Sequence, residues 1–193
     1  DKKSDRYLLS GSESKDVSEN LRETMYPFRY GNFLELEDLV KAYDIGVIMM
    51  EVSRTFTPED NFLQKVRKLA SECNIVLIFD ENISGFRQSF GGLHKVYNIE
   101  PDMAVFGRAL SNGYAISSVI GRKEIMGTSQ SNFISSTFSA ERISSAAALR
   151  TLEIMEKEKS WEIITQTGLD ITARWKTLSD KYDLSITTSG LPA

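Results

Sequence analysis

The chain has 193 residues, 41% hydrophobic and 26% charged, the composition of an ordinary folded domain with enough apolar material for a core. Its formal charge of -4, with acids and bases interspersed, leaves no basic footprint, so nucleic acid is not an expected partner. A single cysteine, Cys73, excludes an internal disulfide and a cysteine-built zinc site, and the longest apolar run, Ile45 to Met50, is far too short to cross a bilayer. A reducing, cytoplasmic setting is therefore expected, with no membrane and no metal. The start, Asp1 to Arg6, shows neither an initiator methionine nor a signal-peptide core, and Thr188 to Ala193 breaks off after a strand-like segment, so truncation at both ends is expected.

Residues 1–32 are polar and irregular, with Ser10-Gly11-Ser12 and Tyr30-Gly31-Asn32 as turn signals. Leu36, Leu39, Val40 and Tyr43 then recur at helical spacing. Ile45 to Met50 is continuously apolar, the pattern of a strand covered on both faces. Thr57 as cap, Pro58 in the first turn and Glu59 and Asp60 at the positive end predict a helix whose inward stripe is Phe62, Leu63, Val66, Leu69, Ala70 and Cys73. Its basic residues Lys65, Arg67 and Lys68 read as a solvated face. Ile75 to Asp80 is a second buried strand, and strand, helix and strand in this order imply a parallel βαβ unit. Further strands are expected at Met103–Phe106, Ile116–Ile120 and Leu184–Thr188, and long helices at Ala140–Lys157 and Trp161–Lys181.

Ligands of open α/β sheets gather at the carboxyl edge of the strands, where Asp80 and Glu81 stand. These acids either cap the following turn or hold a cationic group of a cofactor. An apolar strand ending in Asp-Glu also resembles the magnesium-binding strand of P-loop ATPases. The chain contains neither Gly-x-x-x-x-Gly-Lys-Ser/Thr nor Gly-x-Gly-x-x-Gly after a strand, which ranks a nucleotide-binding domain low.

The run Phe79-Asp80-Glu81-Asn82-Ile83-Ser84-Gly85-Phe86-Arg87 resembles the signature of class III aminotransferases. Gly91-Gly92, Pro101-Asp102, Phe106-Gly107-Arg108-Ala109-Leu110, Asn112-Gly113-Tyr114 and Gly121 to Met126 follow in that family's order and spacing. The similarity runs from Leu8 to Ala193, and its nearest branch is that of the glutamate-1-semialdehyde aminomutases. It implies an α/β fold of the aspartate aminotransferase-like type (fold type I, PLP-dependent transferase): the large domain, with an open, mostly parallel sheet and flanking helices. Residues 1–183 would be a partial large domain and 184–193 the start of a C-terminal small domain.

The resemblance also implies roles. Asp80 would pair with the pyridine nitrogen of pyridoxal 5'-phosphate (PLP), keeping the ring an electron sink. Glu81 and Glu51 would support that site from behind. Ser136 and Thr137 match a pair whose threonine binds the cofactor phosphate of the neighbouring subunit in a homodimer; read from the residues alone, Thr137 equally well caps the next helix. The reaction implied is movement of an amino group on a small amino or keto substrate.

Three features depart from the pattern. Gly107-Arg108 stands where the family has Gly-Lys, and that lysine forms the Schiff base with PLP. A guanidinium stays protonated and its delocalised nitrogens are poor nucleophiles, so PLP is expected to be held non-covalently at best. Lys123, beyond the next strand, and Lys95, in a polar loop, are poor substitutes. Asn82 replaces a valine that packs on the cofactor ring. The family's main phosphate loop and ring-stacking aromatic do not lie in this chain. Catalytic impairment is therefore expected, with a non-catalytic relative that binds PLP or a partner through the dimer surface as the alternative. His94, the only histidine, reads as a surface or loop-packing residue.

Overall fold

The computed structural model describes residues 24–53, 55, 57–128, 138 and 141–193. The chain forms two compact units, Asp1–Ile45 and Gly46–Ala193. In the first, helix α1 (Phe33–Ala42) begins where Asn32 accepts the Glu35 backbone N–H at 3.2 Å, and the Glu35 carboxylate takes hydrogen bonds back from Asn32 Nδ2 and Arg29. This reciprocal cap satisfies donors that the first helical turn leaves unpaired. Tyr26 and Tyr43 stack in the same unit, with ring centroids 4.0 Å apart.

The second unit contains β1 (Val47–Glu51), α2 (Phe62–Glu72), β2 (Val76–Asp80), a 3-10 turn (Leu93–Lys95), β3 (Met103–Phe106), β4 (Ser118–Gly121), α3 (Lys123–Met126), α4 (Ile143–Glu158) and α5 (Ser160–Lys181). The sheet order is β1-β2-β3-β4; the first two pairings are parallel and β3–β4 is antiparallel. The expected parallel βαβ unit and the open, mostly parallel sheet are both present.

The core lies on one sheet face. Ile48, Met50, Leu77, Phe79, Ala104 and Phe106 are buried there, as are Phe62, Leu63, Val66 and Ala70 of α2. The apolar run of β1 does not behave as a strand covered on both faces. Its burial alternates, leaving Val47 52% and Met49 56% exposed among the described residues.

Three local expectations differ. Helix α2 starts at Phe62, without Thr57 as its cap, because Asp60 (φ 51°) and Asn61 (φ 56°) both adopt left-handed backbone and make a turn of residues 59–62. Short polar side chains tolerate that conformation, and a helix cannot run through it. Helix α4 begins at Ile143, after Glu141, whose carboxylate accepts the backbone N–H groups of Ile143 and Ser144. Residues 184–189 form no strand, since among the described residues no strand edge pairs with them.

Arg67 also departs from the solvated face expected of it. Its Nη1 donates to Asp102 Oδ2 at 2.8 Å, and the same carboxylate accepts the Leu77 backbone N–H at 2.8 Å and faces Arg122 at 3.1 Å. Asp102 is 6% exposed and stitches α2, β2 and the start of β3 together. Burial alone would raise its pKa; the Leu77 N–H and the two guanidinium groups hold it below the usual carboxylate value. Lys68, by contrast, faces the exposed Glu72 at 3.8 Å. Arg67→Ala is therefore expected to cost about 1.5–3 kcal/mol in urea unfolding. Lys68→Ala should stay within about 0.5 kcal/mol of the parent. Equal effects would refute the stitching role.

Candidate functional site

The carboxyl ends of β1, β2 and β3 converge on one edge. Glu51 and Asp80 are register partners at the last positions of neighbouring parallel strands, so two half-buried carboxylates stand side by side. Like charges so placed favour a cation near them. Asp80 Oδ1 accepts the Asn82 backbone N–H at 3.0 Å, an Asx-type turn that carries the chain off the strand.

Glu81 is 0% exposed. One oxygen accepts the His94 backbone N–H at 3.0 Å and faces His94 Nδ1 at 2.9 Å; the other accepts the Ser84 hydroxyl. Burial opposes ionisation of this carboxyl, but hydrogen bonds from the His94 ring, Ser84 and the backbone N–H groups of His94 and Leu93 outweigh it, and the pKa lies below the ordinary glutamate value. His94 is itself 8% exposed and belongs to loop packing rather than the surface. Gly92 makes the contact possible, because a Cβ there would overlap the His94 ring.

Asn82 and Arg108 meet through the backbone: the Asn82 carbonyl accepts the Arg108 N–H at 3.3 Å. The Asn82 amide lies against Gly107, where a Cβ would overlap its Oδ1. Arg108 is exposed. Asp80, Asn82 and Arg108 are thus brought together, with Glu51 beside them and Glu81 packed behind. Ser136 and Thr137 lie outside the described residues.

The two lysines weighed as substitutes stand elsewhere. Lys95 Nζ donates to the Phe90 carbonyl at 2.9 Å. Lys123 follows β4, whose Gly121 pairs with Met103 at the opposite end of β3, a strand length of roughly 10 Å from the Arg108 edge. A cleft of about 300 Å³ opens at that opposite edge, lined by His94, Asp102, Ile120 and Arg122 among others. Sequence reasoning did not anticipate the cleft or the Glu81–His94 pair. No motif spacing encodes a contact between residues thirteen positions apart across a loop.

The mostly parallel sheet with its flanking helices is that of a PLP-dependent transferase large domain of fold type I. The class-III aminotransferase family profile matches residues 35–190, and the chain belongs to that family. It is 30% identical over 185 residues to 3-aminobutyryl-CoA aminotransferase of Cloacimonas acidaminovorans (strain Evry), covering 91% of this chain and 45% of that protein. It is 39% identical over 140 residues to glutamate-1-semialdehyde 2,1-aminomutase of Nitrosopumilus maritimus (strain SCM1), covering 68% of this chain and 33% of that one. The chain therefore spans less than half the length of these relatives. Among solved structures, the fold is similar to FumI of Sphingopyxis sp. MTA144 in its PLP internal aldimine form (TM-score 0.83, 24% identity, 87% of this chain and 42% of that one). It is also similar to acetylornithine aminotransferase of Elizabethkingia anophelis (TM-score 0.76, 24% identity, 86% and 45%).

The buried carboxylate gives a pH signature. Folding lowers the pKa of Glu81, so its ionised form stabilises the fold above the ordinary carboxylate range, and this is lost as pH falls through the lowered value. Urea midpoints measured between about pH 6 and pH 3 should fall with acid, and Glu81→Gln should flatten part of that slope. At neutral pH the same variant is expected to cost about 1–3 kcal/mol. An unchanged slope in Glu81→Gln would place the titration elsewhere.

Proposed function

We propose that this chain is a class III relative whose Asp80 edge holds PLP non-covalently and which, as written, does not complete amino-group transfer. The observation that carries this reading is Arg108 at the exit of β3, bonded through its backbone to the turn after Asp80.

The residues fit the cofactor in part. Asp80, beside Glu51, offers carboxylate at a strand end where a protonated ring nitrogen is stabilised, and the hydrogen bond from Asn82 orients it. When bound, PLP supplies a protonated ring that withdraws electrons from a substrate carbon. Among the described residues no amine able to lose a proton stands at this edge. Arg108 can neither join covalently to a carbonyl nor shuttle a proton at the substrate carbon, and Lys95 and Lys123 are engaged or distant.

By descent the protein would act on a small amino or keto substrate, as the names of its aminotransferase and aminomutase relatives suggest. The same arginine favours a second reading, a non-catalytic relative that binds PLP or a partner through the family's dimer surface. A cytoplasmic homodimer, with Thr137 serving the neighbouring subunit's cofactor, belongs to both readings. The exposed, unbridged Cys73 is compatible with that setting.

Borohydride reduction after PLP addition, followed by peptide mass mapping, tests the proposal. The unaltered chain is expected to yield no stoichiometric adduct at any lysine. Arg108→Lys should yield one at position 108; a gain of amino transfer with it supports an impaired enzyme, and its absence supports the non-catalytic relative. A stoichiometric adduct at a lysine of the unaltered chain overturns the proposal.

A further inference from the structure

Asp80 and Arg108 stand at the ends of neighbouring strands yet form no ion pair with each other. Asp80 Oδ1 accepts the Asn82 N–H at 3.0 Å, and the Asn82 carbonyl accepts the Arg108 N–H at 3.3 Å. Two hydrogen bonds thus link the carboxylate of one strand end to the backbone of the arginine on the next. Among the described residues neither side chain forms an ion pair, and only one oxygen of Asp80 is engaged. The edge therefore carries a free carboxylate oxygen and a free guanidinium on adjacent strand ends. Such an arrangement suits a dipolar ligand, cationic at one end and anionic or hydrogen-bond-accepting at the other.

A phosphorylated pyridine ring of the PLP type has this polarity when its nitrogen is protonated. The nitrogen would face Asp80, and the substituent on ring carbon 4 would face position 108. We infer that this site selects among the chemical forms of the ring by charge: it takes those whose carbon-4 substituent is a carboxylate or aldehyde and rejects the amine form. The inference rests on the reading that the Asp80 edge holds PLP, and it deepens that reading by naming the ligand class.

The physical reason lies in arginine itself. Its guanidinium donates a planar, charge-assisted pair of hydrogen bonds to a carboxylate, and it cannot shed its charge to accommodate an ammonium. A lysine at the same place can lose its proton and tolerate either form. Selection against the amine form is therefore a property of Arg108 and not of the sheet edge. Arg108 is exposed, so its replacement leaves the core untouched.

The test is calorimetric titration of the full chain with pyridoxamine 5'-phosphate and with 4-pyridoxic acid 5'-phosphate, neither of which can form an imine with surface lysines. The carboxylate form is expected to bind at least about tenfold more tightly than the amine form, a difference of roughly 1.4 kcal/mol. Arg108→Gln should bring the two within about twofold of each other. Asp80→Asn should weaken both alike. Equal affinities in the unaltered chain, or tighter binding of the amine form, overturn the inference and leave the cofactor site standing. Binding that emerges only in Arg108→Lys does the same. Failure of both probes in the unaltered chain and in Arg108→Lys overturns the cofactor site and the inference together.

Discussion

A carboxylate taken fully out of water stays ionised only where donors surround it, and this requirement organises the segment that follows β2. Glu81 meets it with the Ser84 hydroxyl, the His94 ring and backbone N–H groups of the 3-10 turn. Those donors come from positions three and thirteen residues downstream, so the chain must fold back over the end of its own strand. Gly92 is the residue that lets the His94 ring approach. The end of β2, and with it Asp80, is fixed by this packing.

A second buried carboxylate works at the opposite edge. Asp102 joins α2 through Arg67 and β2 through the Leu77 N–H, just before β3 begins. Removing either partner of such a bond strands a desolvated charge, which costs more than the bond's net contribution. The sheet is thus secured at both edges by acids that the core buries. At the carboxyl edge, beside Glu81, Asp80 and Glu51 are only half-buried. Glu81 and Asp102 differ from Asp80 mainly in burial and in how many donors they receive.

Arg108 separates inherited architecture from chemistry. The strand order, the register and the turn do not depend on which side chain stands at 108, because its backbone N–H donates to the Asn82 carbonyl whatever the side chain. Covalent attachment to a carbonyl does depend on it, because that step needs a neutral amine. Family membership and reaction are accordingly different questions, and the profile match over residues 35–190 answers only the first.

Much of the fold was legible in the chain. Apolar runs ending in acid marked β1 and β2, β3 was bounded correctly at Met103 and Phe106, and the two long helices were found within a few residues. The start of α2 was not, because Thr57 and Pro58 look like a helix beginning while the left-handed Asp60 and Asn61 postpone it. The strand expected at 184–188 failed because β pairing requires a neighbour that local sequence cannot supply. Of the site, Asp80, Glu81, Asn82 and Arg108 were visible as a motif, since a strand edge and its turn are local in sequence. Arg67 and His94 were misjudged or left vague because their partners, Asp102 and Glu81, lie 35 and 13 residues away. The sequence by itself determined which chemical groups stand at the strand ends, an arginine at 108 among them. Only the tertiary structure decided which carboxylates are buried and satisfied and which stay half-buried at the strand ends, because burial depends on contacts distant along the chain.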